Sequence, residues 1–177
     1  MNKTVIIFGS APYYQKIKPF IPELIKKYNT IGINDAQLDF PFKTWAFCDS
    51  EAISLIKKVK CFDKAITRKI WESQIPKKYL SKFELFQNAG NTIIHPDRQY
   101  ETKALAFHLF TISFVLNYVY LKGYKDVYLA GIEHTEGKYD SEEIRNYIYR
   151  YKKLVNLYQL DTNSKLCLEK IELKTLL

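Results

Sequence analysis

The chain has 177 residues, a usual size for one domain, and 47% apolar with 15% aromatic residues excludes a disordered chain. Its formal charge of +8 is uneven, because nine basic residues from Lys57 to Lys82 face only Asp63 and Glu72, leaving the rest nearly neutral. No apolar run reaches membrane-spanning length, and no signal peptide is read ahead of the first strand. Cys48, Cys61 and Cys167 are scattered without CxxC spacing, so the expectation is a cytoplasmic protein with reduced thiols.

The opening stretch VIIFGSAPYYQKI reads as a buried strand, Thr4–Phe8, followed by a turn and a helix. Pro12 falls where a first-turn helical proline is tolerated, and the helical pattern over Gln15–Tyr28 is interrupted by Pro19 and Pro22. Further strands are expected at Thr30–Asn34, Thr44–Cys48 and Val127–Ile132. Thr4–Phe8, Thr30–Asn34 and Val127–Ile132 are apolar at nearly every position, as parallel strands covered on both faces are. The lysine-rich segment interleaves Trp71 and Tyr79 and is followed directly by Phe83. It reads as a solvated surface or as a docking surface for an anionic partner.

The longest helix is expected at about Thr102–Lys122, apolar nearly all round and therefore buried, with Gly123 as its left-handed cap. Asp140-Ser141-Glu142-Glu143 opens another helix with a polar cap and first-turn acids, running to about Tyr158. Together these elements predict one α/β Rossmann-like domain over residues 1–177. Its sheet is open and mainly parallel, with helices on both faces.

Such sheets bind ligands beyond the carboxyl ends of their strands. The residues falling there are Gly9-Ser10-Ala11, Asn34-Asp35, Cys48-Asp49-Ser50 and Glu133-His134. The first group offers backbone N–H groups, a hydroxyl and a helix start suited to phosphate. Asn34 and Asp35 can read a base edge or a ribose, or cap the next turn. His134 stands beside Glu133 and Glu136, carboxylates able to tune it for acid–base work, whereas His108 is expected in the helix core. GxGxxG, GxSxG, HxxxH and HExxH are all absent, and Asp49-Ser50-Glu51 only imitates a DxD metal motif. The expectation is a site without metal or dinucleotide cofactor.

Four segments resemble one family, the bacterial lipooligosaccharide sialyltransferases. VIIFGSAPYYQKI is similar to their opening strand, turn and helix, IGIND to their second strand, FTISFVLNYVYLKGYKDVYLAGIE to their central helix and strand, and LYQLDTNSKL to their closing strand. The same core occurs in a wider group that includes motility-associated glycosyltransferases and 6-hydroxymethylpterin diphosphokinases. The resemblance implies that Gly9, Ser10 and Ala11 cradle a donor phosphate and that Asn34 and Asp49 contact base and ribose. It also places Thr111 and Ser113 at the hydroxyl-bearing helix start, Asn163 and Ser164 in the terminal loop, and Tyr139 at the leaving phosphate. The family's long lid insertion is reduced here to HTEGKYD, so the lid histidine has no counterpart.

The function expected is a small, metal-independent glycosyltransferase moving a sugar from a nucleotide-sugar to an acceptor hydroxyl. His134 or Asp49 would be its base, and Tyr139 would assist departure of the nucleotide. Lys69, Lys77, Lys78 and Lys82 would bind an anionic acceptor, a glycan or nucleic acid. Homo-oligomerisation is compatible with all of this. The alternatives are a Mg²⁺-dependent diphosphokinase using Asp35 and Asp49, and a non-catalytic nucleotide- or nucleic-acid-binding module.

Overall fold

The computed structural model describes residues 3–59, 61–97, 103–106, 110–132, 142–160 and 164–177. Val5, Ile6, Ile7 and Phe8 are all fully buried, as a strand covered on both faces requires. They form β1 (Thr4–Phe8), and α1 (Tyr13–Ile17) and α2 (Ile21–Lys27) follow. Then come β2 (Asn29–Ile33), β3 (Thr44–Ala46), α3 (Ser50–Ser54), β4 (Lys64–Arg68), β5 (Phe83–Asn88) and β6 (Ala104–Leu105). The chain continues through α4 (Thr111–Leu121), β7 (Asp126–Ala130), α5 (Glu142–Arg150), β8 (Asn156–Gln159) and β9 (Glu169–Lys170).

Among the described residues these nine strands make one sheet in the order β6-β5-β4-β3-β2-β1-β7-β8-β9. Every pairing in it is parallel. This is the expected Rossmann-like α/β architecture. From β1 the chain steps outward to β6, then returns to lay β7 against the other side of β1 and proceeds to β9. The order therefore reverses between β1 and β7, and an open crevice follows at their carboxyl ends.

The pleat divides the core. Val5, Ile7, Val127 and Leu129 face one side with α4 and α5, while Ile6 and Phe8 face the other with Tyr14, Ile17, Ile21 and Leu24. A third cluster lies around Trp45, Phe47 and Ala65, packed by Ala52 and Ile56. In α4 every residue but Tyr120 is buried.

Several elements differ from expectation. Ala104 and Leu105 pair with Gln87 and Asn88 as β6, and Phe110 is still extended, so the long helix begins only at Thr111. Continuous apolar sequence does not separate a buried strand from a buried helix. The other helix ends at Arg150 rather than Tyr158, because a 3₁₀ turn at Tyr151–Lys153 leads into β8, which holds Tyr158. Pro19 and Pro22 split Gln15–Tyr28 into two helices joined by a 3₁₀ turn. The lysine-rich segment contains β4, so its charges do not share one surface. His108 lies outside the described residues.

Candidate active-site cleft

The crevice is built by two glycines in mutual contact. The Gly9 N–H donates to the Ala130 carbonyl at 2.8 Å, and the Ala11 N–H to the Gly131 carbonyl at 3.1 Å. A Cβ on Gly9 would strike the Gly131 carbonyl oxygen, and one on Gly131 would strike that of Gly9. Gly131 is also left-handed, φ +67°. Only glycine fits at either position. Two of the three backbone amides expected to cradle phosphate are thus engaged with the turn after β7. What this turn offers outward is Ser10, which is exposed.

Next to it opens a cleft of about 760 Å³, lined by Gly9, Ser10, Ala11, Asn34, Asp35, Asp49 and Thr111 among others. Four strand ends, those of β1, β2, β3 and β7, and the start of α4 therefore converge, and they bring seven of the expected site residues together. Both tryptophans brace this rim. The Trp45 indole N–H donates to the Asn34 carbonyl at 2.9 Å, and the Trp71 indole N–H to the Cys48 carbonyl at 2.7 Å. Trp71 is stacked in turn against the Arg68 guanidinium, 5.8 Å from the ring centroid.

Asn34 is left-handed at φ +50°, one of two non-glycine residues so placed among those described. Such strain persists only where surroundings impose it, and it clusters at binding sites. The Thr111 hydroxyl, on a nearly buried side chain, donates to Asn34 Oδ1 at 3.5 Å. Burial pushes the Cys48 thiol far above its ordinary pKa, with Asp49 adding to the effect and Thr111 and Arg68 opposing it, so this thiol is neutral and inert. Asp49 occupies the N-cap position of α3 without a side-chain cap bond to it.

Charge in the cleft runs opposite to that of the whole chain. Asp35, Asp49 and Glu51 are the ionisable side chains among the described lining residues, and no lysine, arginine or histidine joins them. No group of three or more metal-binding side chains occurs among the described residues. Glu51, Phe110 and Gly131 are lining residues that sequence reasoning passed over. Only Glu51 carried a signal, as the third member of Asp49-Ser50-Glu51.

Other expected residues fall elsewhere. Ser113 is buried and its hydroxyl donates to the Phe110 carbonyl at 2.7 Å, closing the first turn of α4 rather than lining the cleft. Ser164 is outside the lining, its hydroxyl accepting the Leu166 N–H at 3.0 Å. His134, Tyr139 and Asn163 lie outside the described residues.

The four acceptor lysines are dispersed. Lys69 follows β4 at the carboxyl end and pairs with Glu72 at 2.7 Å. Lys82 precedes β5 at the amino end, where its amine donates to the Phe62 carbonyl at 3.1 Å. Lys77 and Lys78 are exposed on the 3₁₀ turn leading to Lys82.

Fold and cleft define an α/β Rossmann-like domain with a ligand-sized crevice at its topological switch point. No protein-family model matches the chain, and no curated protein matches its sequence. No described helix is long and apolar enough to cross a membrane.

Proposed function

We propose that the switch-point cleft binds a nucleotide and that the protein is a small glycosyltransferase using a nucleotide-sugar donor. The observation that carries this reading is the convergence of Ser10, Asn34, Asp35, Asp49 and Thr111 on one cleft beyond the strand ends. Asn34 and Thr111 suit a base edge, and Asp35 and Asp49 can accept hydrogen bonds from ribose hydroxyls. Ser10 beside α1 suits the phosphate end. His134 follows directly on this cleft in sequence and, with Asp49 as its rival, is the proposed base toward the acceptor hydroxyl; Tyr139 assists departure. Lys77 and Lys78 favour an anionic acceptor, a glycan or nucleic acid.

One observation favours a second reading. Three carboxylates with no cationic side chain among the described lining residues suit a diphosphate bridged by Mg²⁺, as in a diphosphokinase acting through Asp35 and Asp49. Isothermal titration with nucleoside monophosphates and nucleotide-sugars, in EDTA and in Mg²⁺, separates the two. Binding in EDTA followed by sugar transfer supports the first, and binding that requires Mg²⁺ supports the second. Binding without any turnover leaves a nucleotide-binding module, and no binding in either condition overturns all three.

A further inference from the structure

Phe110 is the one aromatic side chain among the described lining residues of the cleft. It is half-buried, packing in part against the core cluster that holds α4 and lining the cleft with the rest. Its backbone is extended, φ −134° and ψ +152°, immediately before α4. Its carbonyl accepts both the Ser113 N–H at 3.1 Å and the Ser113 hydroxyl at 2.7 Å. The ring therefore springs from a fixed point of the backbone. Leu55 also lines the cleft half-buried, but it packs against the cluster around Trp45. These clusters lie on opposite faces of the sheet, since Ala46 and Cys48 of the β3 segment belong to one and Trp45 and Phe47 to the other. Phe110 and Leu55 thus line the cleft from opposite flanks.

The polar side of the cleft gives a phosphate little. Asp35, Asp49 and Glu51 are exposed there and repel it, and the Gly9 and Ala11 amides are engaged with the turn after β7. The apolar side is where a nucleotide gains. We infer that Phe110 is the stacking platform for the base, with Leu55 as the apolar side chain of the opposite flank. An aromatic ring takes a base in offset stacking whatever its hydrogen-bonding edge, because every base has a π-face. The inference rests on the nucleotide reading of the cleft and goes beyond it by locating the base and assigning the residue that holds it.

Phe110→Leu keeps an apolar side chain and adds no charge, but it removes the aromatic face. In isothermal titration of the full chain with CMP, UMP, AMP and GMP, the best-bound nucleotide should bind Phe110→Leu about tenfold more weakly, and Phe110→Tyr should restore it. Ribose 5-phosphate, which has no base, should bind weakly and change less than about twofold. A base stacked on a ring loses ultraviolet absorbance, so the nucleotide bound to the wild-type chain should be hypochromic, and the effect should vanish in Phe110→Leu. Wild-type affinity in Phe110→Leu would overturn the inference alone. So would a parallel loss of nucleotide and ribose 5-phosphate, which marks a purely structural role. A nucleotide bound to the wild-type chain without hypochromism would do the same, and this measurement decides the matter even where Phe110→Leu folds poorly. A wild-type chain that binds none of the four nucleotides overturns the nucleotide reading, and the inference falls with it.

Discussion

At the scale of single residues, the crossover between β1 and β7 depends on glycine for two separable reasons. Gly131 has both a left-handed backbone and no room for a Cβ, whereas Gly90 is left-handed at φ +58° with nothing within 4 Å. Gly90→Ala should therefore cost about 1 kcal/mol, from the backbone alone. Gly131→Ala should cost on the order of 3 kcal/mol or more, because displacing Gly9 also disturbs the ladder to β7. Urea unfolding of the two variants checks this, and equal losses would mean that the contact with Gly9 yields easily.

Glu84 gives a residue-scale pH dependence. Burial works against its charge, but Lys64 and Lys122 together outweigh it and hold the carboxyl below its ordinary value of about 4.5. With the folded value below the unfolded one, this stabilisation is complete above the unfolded pKa and is lost as pH falls through the folded one. Glu84→Gln should lower stability at neutral pH and flatten its slope below about pH 4.5. A slope in the variant equal to that of wild type would place the acid sensitivity elsewhere. Much at this scale was legible in the sequence. Gly9 and Asn34 stand out because each directly follows a run of buried strand residues. Ser113 misled because a hydroxyl near a helix start bonds the backbone as readily as a ligand, and nothing in sequence separates the two uses.

At the scale of elements, α4 shows where periodicity stops informing. An asparagine in an apolar helix gives no sequence signal, yet Asn117 is fully buried and organises two neighbouring segments. Its Oδ1 accepts the N–H groups of Ile94 at 3.1 Å and Ala106 at 2.8 Å, and its Nδ2 donates to the Ile94 carbonyl at 2.8 Å. Asn117→Leu fills similar space but leaves three buried backbone groups unpaired, a loss on the order of 3 kcal/mol or more. Amide exchange at Ile94 and Ala106 should accelerate in step. A loss below about 1 kcal/mol would show that these segments find other partners. The strands missed in sequence, β4, β5, β6 and β9, lie toward the two sides of the sheet, as does β8, which was legible only through the resemblance of LYQLDTNSKL to a closing strand. There Lys64, Arg68, Glu84, Glu169 and Lys170 dilute the apolar runs that made β1 and β7 readable.

At the scale of the whole molecule, the parallel sheet gathers the carboxylates of the cleft at one end. All strands run the same way, so one end collects the carboxyl termini with Asp35, Asp49 and Glu51, while Lys82 sits at the amino end with Phe62. A linear count of charge between Lys57 and Lys82 hides this, since β4 carries the chain from one end to the other within that segment. Lys64 is paired with Glu84 and Lys69 with Glu72, whereas Lys77 and Lys78 are exposed on one turn with Lys82. Reversing these two, Lys77→Glu with Lys78→Glu, tests whether patch and cleft act as one site. At 0.15 M salt exposed charges are screened beyond about 8 Å, so nucleotide affinity should change less than about twofold. Binding of an anionic polymer such as single-stranded DNA should weaken, with a salt slope shallower by about 1.4 for the two lost contacts. A fall in nucleotide affinity parallel to the loss of polymer binding would instead bring the turn at Lys77–Lys82 within reach of the cleft and join the two into a single binding surface.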